Sequence, residues 1–364
     1  MGNQKSIYRS YNSQRTDYQH ILAINHDSSL LAVGVIQGEM KMFKILYYKQ
    51  HNVENLTESE EEELYASDEK ALTQLKIYGG DVGCVNSLQF LKSEKHINFF
   101  LSGSEHLIII WSPNDQLNPV FWSQQFKIEW TYAEIFSCVI HPNENLIISC
   151  DKENVKFWQL QDNKYVCQQI ISEHNILAYG LSISPDGNKI ISIGADNKLI
   201  VMKGSDKETW QVVQKIQLCK QSFNICFITN QIFTLQSTNS GKGAKNLEIY
   251  KMDQNEQFLI TKTIPLEGKN QRHSGQSWPI YSPSKQILTT INGHSLNIIR
   301  FIFYTSQYKG LEGEFNCQLE QVIDIDHQNS CGTMSPDGEI LITWDVKSHL
   351  TKIKKYNPNI DKQY

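Results

Sequence analysis

The sequence lacks the short motifs that place catalytic groups on common enzyme folds. It has no G-x-x-x-x-G-K-[ST] phosphate loop, no G-x-G-x-x-G dinucleotide motif and no H-E-x-x-H zinc motif. GHSLN (293–297) comes nearest to a serine nucleophile elbow but lacks the second glycine. GKGAK (241–245) stands between two strand-like runs rather than before a helix, so it predicts a solvated hairpin loop. These patterns predict that the protein is not an enzyme.

Cysteine spacing gives no sign of a metal site or a disulfide framework. The eight cysteines are scattered along the chain and no two form C-x-x-C. Reduced, mostly buried thiols in a cytoplasmic protein are therefore expected, with no metal and no cofactor. No apolar run approaches the roughly 20 residues that span a bilayer, and the N-terminus carries no hydrophobic secretory signal.

The net charge of −5 is concentrated in one segment. Residues 52–69 (NVENLTESEEEELYASDE) carry eight carboxylates and no Lys or Arg, so the rest of the chain has a net charge of +3. One interpretation is a disordered, solvating loop. The other is an electrostatic hook for basic segments of a partner, which phosphorylation of Thr57 or Ser59 would strengthen. Because no strong basic excess exists elsewhere, a nucleic-acid partner is not expected.

The first six residues match a lipidation pattern. Met1-Gly2-Asn3-Gln4-Lys5-Ser6 fits M-G-x-x-x-[ST], in which Gly2 becomes N-myristoylated after removal of the methionine. The alternative is an unmodified, disordered terminus. Since one myristoyl chain binds membranes only marginally, any membrane contact through Gly2 would be reversible.

One sequence pattern, in which a tight turn joins two short apolar strands, recurs along the chain. Its clearest copies span 23–34, 138–150, 181–194, 280–291 and 332–344, and weaker copies span 87–103 and 225–237. The turn positions are His26, Ser93, His141, Ser184, Thr229, Ser282 and Ser335. Their successive gaps are 67, 48, 43, 45, 53 and 53 residues, and the longest gap contains the acidic segment. The others lie near the ~40–50 residues of a four-stranded propeller blade.

The residues of this repeated pattern predict small sheets stacked around a ring. Pro-Asp and Asp-Gly turns supply the backbone angles of tight hairpins, and the flanking runs are rich in β-forming residues. A single small sheet cannot bury both faces, whereas a closed ring of sheets does so. The last copy has room for only three strands, so Ser6–Asn12 is predicted to supply the missing outer strand. His26 and His141, at turn positions, are expected at the surface.

A third strand follows several copies and carries a recognisable ending. GEMKMFKI (38–45), SEHLIIIWS (104–112), DKENVKFWQL (151–160) and DNKLIVMK (196–203) match the D-x-x-x-K-x-W ending of a WD40 repeat. The chain therefore resembles the WD40-repeat β-propeller family, in which His, Ser or Thr, Asp and Trp form a buried hydrogen-bonded set. The resemblance implies structural roles for His174 and Asp196 in the fourth copy and for Trp111 and Trp158 in the second and third. No copy has the full set: Met202 replaces one Trp, Phe43 another, and Lys152 and Glu105 stand where the Asp is usual.

In this family, the loops that lead into the inner strand of each blade form one face of the ring. The resemblance thus implies a protein-binding face that contains Arg15, Trp130, Tyr132, Tyr179, Arg272, His273 and Trp278. Tyr, Trp and Arg dominate the energetics of protein interfaces. The alternative is that half of these aromatic residues pack between blades.

The sequence as a whole predicts an all-β, seven-bladed propeller of WD40 type. An N-terminal segment (1–20) would precede a propeller over 21–360, with the acidic loop (52–69) inserted in it. The expected function is a non-catalytic scaffold that binds other proteins within a larger complex. The alternatives are a myristoylated, membrane-associated adaptor and a propeller hydrolase. The expected location is the cytoplasm, with a membrane-associated, cytoskeletal or ciliary assembly as further possibilities.

Overall fold

Strands make up nearly all of the regular structure. The computed structural model describes residues 8–15, 21–34, 39–45, 72–78, 83–129, 134–238, 244–268, 279–304, 314–325, 330–345 and 350–356. These ranges contain 28 β-strands and a single turn of 3-10 helix, Glu94–His96. Among them no helix has the length and apolar character needed to span a bilayer.

The first four blades each contain four antiparallel strands that are consecutive in the chain. Blade 1 comprises β2 (Ile21–Ile24), β3 (Leu30–Gly34), β4 (Met40–Ile45) and β5 (Leu72–Tyr78). Blade 2 comprises β6 (Val85–Phe90), β7 (Phe100–Ser104), β8 (Leu107–Pro113) and β9 (Phe121–Glu129). Blade 3 comprises β10 (Ile135–Ile140), β11 (Leu146–Asp151), β12 (Asn154–Gln161) and β13 (Lys164–Ser172). Blade 4 comprises β14 (Ala178–Ile183), β15 (Lys189–Gly194), β16 (Lys198–Lys203) and β17 (Gln211–Gln217).

The remaining strands form three more groups of four, the last of which joins the two ends of the chain. Blade 5 comprises β18 (Ser222–Thr229), β19 (Ile232–Thr238), β20 (Ala244–Met252) and β21 (Phe258–Pro265). Blade 6 comprises β22 (Ile280–Ser282), β23 (Ile287–Asn292), β24 (Ser295–Phe303) and β25 (Phe315–Asp324). Blade 7 comprises β26 (Cys331–Met334), β27 (Ile340–Asp345), β28 (Leu350–Tyr356) and, as its outer strand, β1 (Tyr8–Arg15). Since β1 pairs with β28 from Tyr8↔Tyr356 to Arg15↔Leu350, the predicted closing strand is confirmed.

The inner strands of consecutive blades are neighbours, and β2 of blade 1 contacts β26 of blade 7, so the blades form a closed ring. Each inner strand begins after a connection from the preceding blade and ends in a hairpin, which is short in every blade except blade 2, where Leu91–Phe99 joins β6 to β7. We call the two ends of the ring the connection face and the hairpin face. Ile45 at the end of β4 and Leu72 at the start of β5 therefore lie at the hairpin face.

The apolar core lies between blades rather than within one central cluster. Seven clusters of buried side chains occur in the described ranges, and each combines residues of two adjacent blades. Between blades 2 and 3, for example, Leu101 and Ile108 pack with Ile147 and Trp158. Burial of sheet against sheet is therefore what stabilises the ring.

The hairpins follow the predicted turn chemistry. Gly187 and Gly338, the glycines of the two Pro-Asp-Gly turns, have φ of 77° and 73°, which side chains with a Cβ adopt at a cost. In the first of these turns Ser184 Oγ donates to Asp186 Oδ1 at 2.5 Å, and Asn188 N donates to the same oxygen at 3.0 Å. The sequence therefore specifies these hairpins locally.

Neighbouring hairpins also bond to one another around the hairpin face. Asn25 Nδ2 donates to Asn98 Oδ1 of blade 2 at 2.7 Å, and Asp186 N donates to Asn230 Oδ1 of blade 5 at 3.0 Å. His141 Nε2 lies 3.1 Å from the Gly187 carbonyl of blade 4. The expectation that His141 is a surface residue is wrong, because the adjacent hairpin leaves it only 6% exposed.

Side chains of the outer strands hold the outer edges of three adjacent blades together. Gln169 of β13 forms two hydrogen bonds with the backbone of Trp210 in blade 4, at 2.6 and 2.8 Å. Gln214 of β17 does the same with Phe258 of blade 5, at 3.0 and 2.8 Å. We call these paired bonds outer clasps. Between blades 1 and 2 the backbones pair directly instead, because β5 runs parallel to β9 from Lys76↔Phe121 onward.

Candidate functional site

The connection loop of blade 4 is held by a buried histidine. His174 Nε2 lies 2.8 Å from Ser192 Oγ, and His174 Nδ1 lies 3.1 Å from Asp196 Oδ1. Asp196 also accepts from Asn175 N at 2.9 Å, and Ala195 N donates to Leu177 O at 2.7 Å. Three of the five residues between β13 and β14, His174, Asn175 and Leu177, are thus tied to β15 and to the β15–β16 turn.

Burial controls the protonation of this histidine. Removal from water lowers the pKa of His174 below its usual 6.5, although the Asp196 carboxylate acts in the opposite direction. Burial raises the pKa of Asp196, but the donors Asn175 N–H, His174 and Lys198 N–H outweigh it, and its pKa is lowered overall. Near neutral pH, a neutral His174 therefore faces an ionised Asp196.

Ser192, His174 and Asp196 are connected in the same order as a hydrolytic triad. Their location, however, is unsuited to catalysis. Ser192 is 0% exposed and His174 is 4% exposed, so a substrate carbonyl has no access to the hydroxyl. The set therefore acts within the blade rather than on a substrate. Within the described ranges no group of three or more His, Cys, Asp or Glu side chains could hold a metal ion.

The tryptophans singled out from the sequence occupy the matching positions in other blades. Trp111 Nε1 donates to Ser102 Oγ at 2.8 Å, and Trp158 Nε1 donates to Ser149 Oγ at 2.9 Å. Both rings are buried. In blade 4 the fully buried Met202 fills the position and makes apolar contacts instead. The hydrogen-bonded set is therefore divided, with the His-Ser-Asp part in blade 4 and the Trp-Ser part in blades 2 and 3.

Two further polar clusters were not foreseen from the sequence. In blade 3 the buried Lys156 ammonium is paired with Asp151. At the hairpin face Glu144 of blade 3 accepts from Lys92 N at 2.6 Å, from Ser93 N at 2.7 Å and from Ser93 Oγ of blade 2. His96 Nδ1 lies 2.7 Å from the same carboxylate. The only sequence signal for the first cluster is the Asp-x-x-x-x-Lys spacing, and the second has none.

Most of the residues predicted to bind partners lie outside the described ranges. These are Trp130, Tyr132, Arg272, His273 and Trp278, and Gly2 and residues 52–69 lie outside them too. Arg15 ends β1, where its backbone pairs with Leu350. Tyr179 is half-buried between blades 4 and 5, and its hydroxyl donates to the Ser222 carbonyl. Burial raises the pKa of the Tyr179 phenol.

The connection face exposes an apolar pair that the sequence analysis did not select. Ile176 and Leu177 follow the anchored His174 and are 52% and 40% exposed. On the connections to either side of β10–β11, the exposed carboxylates Glu134 and Glu153 form no ion pair with any described residue. Glu134 accepts only from the amide of Asn86, at 3.2 Å. This sector combines a rigid apolar anchor with two exposed carboxylates that form no ion pair with a described residue.

The centre of the ring contains a cavity of about 510 Å³. Residues of all seven inner strands form its wall, and the hairpin face contributes His26, Lys92 and four prolines, Pro142, Pro185, Pro283 and Pro336. A channel bounded by inner strands is what a closed ring of blades must leave at its axis.

Antiparallel four-stranded blades in a closed ring define a β-propeller, and the hydrogen bonds in blades 2 to 4 resemble the buried set of WD40 repeats. Among solved structures, the chain is similar to the β-propeller domain of Cps50 (Swd1) from Myceliophteria thermophila, with a TM-score of 0.64 and 10% sequence identity. The match covers 96% of this chain and 100% of that domain. No family model matches the sequence, and no curated protein matches it significantly. The fold predicted from the repeats is therefore confirmed.

Proposed function

We propose that the chain is a non-catalytic scaffold that binds other proteins through its connection face. The observation that carries this proposal is the exposed pair Ile176–Leu177 on a loop whose backbone is fixed by His174 and Asp196. A rigid apolar anchor loses little conformational entropy on binding. Burial of exposed aliphatic side chains against a partner supplies hydrophobic free energy of binding.

The charge around the anchor favours a partner with basic residues. Glu134 and Glu153 are exposed, and no described cation pairs with either. Complementary charges accelerate association and determine orientation more than they add affinity. The acidic segment 52–69 would contribute a second attraction for basic segments, from the opposite face of the ring.

The proposal also covers the cellular location of the protein and its attachment to a membrane. All eight cysteines are free thiols, which supports a reducing, cytoplasmic location.

β1 begins with Tyr8 paired with Tyr356 at the hairpin face, so an acyl group on Gly2 would leave the ring from that face. Incorporation of a clickable myristate, lost in Gly2→Ala, tests the membrane-associated adaptor as the second candidate.

A matched pair of variants tests the scaffold. Ile176→Ser with Leu177→Ser removes the anchor, and Leu259→Ser with Ile260→Ser removes a neighbouring pair of equal size on β21, where both residues are 54% exposed. Proximity labelling in the native cell, quantified by mass spectrometry, compares both variants with the wild type. We expect the first variant to lose at least one partner that the second retains. Identical partner sets for all three proteins would refute the connection face as the binding surface.

A further inference from the structure

The central cavity has the size and wall of a small-molecule site. Its volume of about 510 Å³ falls within the roughly 300–1,000 Å³ typical of ligand pockets. The wall includes half-buried apolar side chains of four inner strands, Leu88, Val139, Ile183 and Ile280. Half-buried aliphatic groups around this open channel favour an apolar ligand body.

One free positive charge lies at the rim of this cavity. Lys92 lines it from the hairpin face and forms no ion pair with any described residue. Its backbone N–H is used by Glu144, at 2.6 Å, but its side chain is exposed. The ammonium therefore remains available for an anion.

The only carboxylate in the described lining does not neutralise that charge. Glu144 accepts from two backbone N–H groups, from Ser93 Oγ and from His96, so its oxygens face the neighbouring hairpin. Burial raises the pKa of Glu144, but these donors outweigh it and the pKa is lowered overall. Its bonding is thus satisfied without Lys92.

Lys92 also acts across the channel. Burial raises the pKa of the Cys226 thiol, on the inner strand of blade 5, to about 12, while the Lys92 charge and a backbone hydrogen bond from Tyr281 oppose the rise. Lys92 of blade 2 and Cys226 of blade 5 both line the cavity, so the Lys92 charge is one group of its described lining.

We propose that the central cavity binds an aliphatic carboxylate, with the carboxylate at Lys92 on the hairpin face and the hydrocarbon chain against the apolar wall. This ligand class follows from the position of Lys92 above aliphatic side chains, since Lys92 is the one lysine or arginine in the described lining and forms no ion pair with a described carboxylate. The site lies at the axis of the ring, away from the connection-face anchor. The ligand proposal is therefore independent of the scaffold proposal.

Octanoate and 1-octanol are the probes, measured by calorimetric titration of the full chain. Lys92→Gln removes the charge and keeps the backbone N–H for Glu144. Lys95→Gln is the matched control, because Lys95 is exposed in the same β6–β7 segment and does not line the cavity. We expect Lys92→Gln to weaken octanoate binding about two- to five-fold, as for a partly exposed ion pair. Octanol binding should be unchanged in both variants.

Thiol protection locates the bound ligand. Cys226 lines the cavity and Cys219 is exposed outside it, so octanoate should slow modification of Cys226 by a neutral methanethiosulfonate and leave Cys219 unaffected. No saturable octanoate binding would overturn the proposal. Equal affinities in the two lysine variants, or binding that leaves Cys226 unprotected, would overturn it as well.

Discussion

The bond between the hairpins of blades 2 and 3 depends on one carboxylate, so Glu144 is the residue whose removal tests the hairpin-face contacts. Glu144→Ala deletes the acceptor of Lys92 N and Ser93 N and the partner of Ser93 Oγ and His96. Glu144→Gln keeps Oε1 for the two backbone donors, and it replaces the charge and the Oε2 acceptor of Ser93 Oγ and His96 with an amide NH2 group. Glu153→Ala, an exposed carboxylate on the opposite face, is the control.

The expected magnitude follows from which donors lose their acceptor. The side chain of His96 is 36% exposed. Water can therefore replace the carboxylate as its hydrogen-bond partner, and loss of the His96 contact costs little. Each of the two backbone N–H groups left without a partner costs about 1.5–2 kcal/mol, so Glu144→Ala should lower the free energy of unfolding by about 3–4 kcal/mol. Glu144→Gln should cost about 1–1.5 kcal/mol, and Glu153→Ala less than about 0.5 kcal/mol.

Thermal unfolding measures these differences. For 364 residues, an unfolding entropy of about 2.1 cal/mol/K per residue gives about 0.8 kcal/mol/K, so Glu144→Ala should lower the Tm by about 4–5 °C. Because the pKa of Glu144 is lower in the folded state than its usual 4.5, its stabilising effect is complete above pH 4.5 and is lost as the pH falls through the folded pKa. The difference between wild type and Glu144→Gln should therefore shrink in acid.

Two results would refute the reasoning. One is a Glu144→Ala protein that matches Glu153→Ala in stability, which would mean that water replaces the carboxylate without cost. The other is a wild-type advantage over Glu144→Gln that grows as the pH falls below 4.5. Either result would remove Glu144 as the link between the two hairpins.

Three further predictions concern the blades. Gln214→Ala breaks an outer clasp and should cost about 1–3 kcal/mol in urea unfolding, whereas the exposed Gln211→Ala should cost almost nothing; equal costs would contradict the clasp. His174, whose pKa is lowered in the fold, stays neutral while the unfolded chain gains a proton, so stability should fall as the pH drops below 6.5. The Tm of wild type should then decline more steeply between pH 7.5 and 5.5 than that of His174→Gln, and parallel curves would count against this. Trp158→Phe should cost about 1–2 kcal/mol by leaving Ser149 unpaired, and adding Ser149→Ala should cost less than it does alone; full additivity would show that the bond is unimportant.

The sequence predicts the blades because their determinants are local. Asp186-Gly187 fixes a hairpin through its own backbone angle and side-chain bonds, and β-forming residues flank it. The closing strand was predictable for a topological reason, since an open ring leaves sheet edges unpaired. The exposure of residues near these hairpins, such as His141, could not be predicted from the sequence of their own blade, because the hairpin of the neighbouring blade determines it.

The candidate site was harder to predict because it depends on contacts between blades. Glu144 meets Lys92 and Ser93 about one repeat away, and nothing within either repeat marks the pairing. Tyr179 was selected for its side-chain type, but whether an aromatic ring faces a partner or the next blade depends on the spacing of the sheets. Ile176 and Leu177 resemble core residues in composition, and only the anchored backbone makes them exposed.

The pairing of β1 with β28 has a consequence for how the protein is made. On the ribosome, β1 is made before the other strands of the ring and its partner β28 after them, so β1 stays unpaired while the strands between them are made. During that time its free edge can pair with other chains. A nascent chain stalled before Leu350 would therefore present an open seventh blade to chaperones.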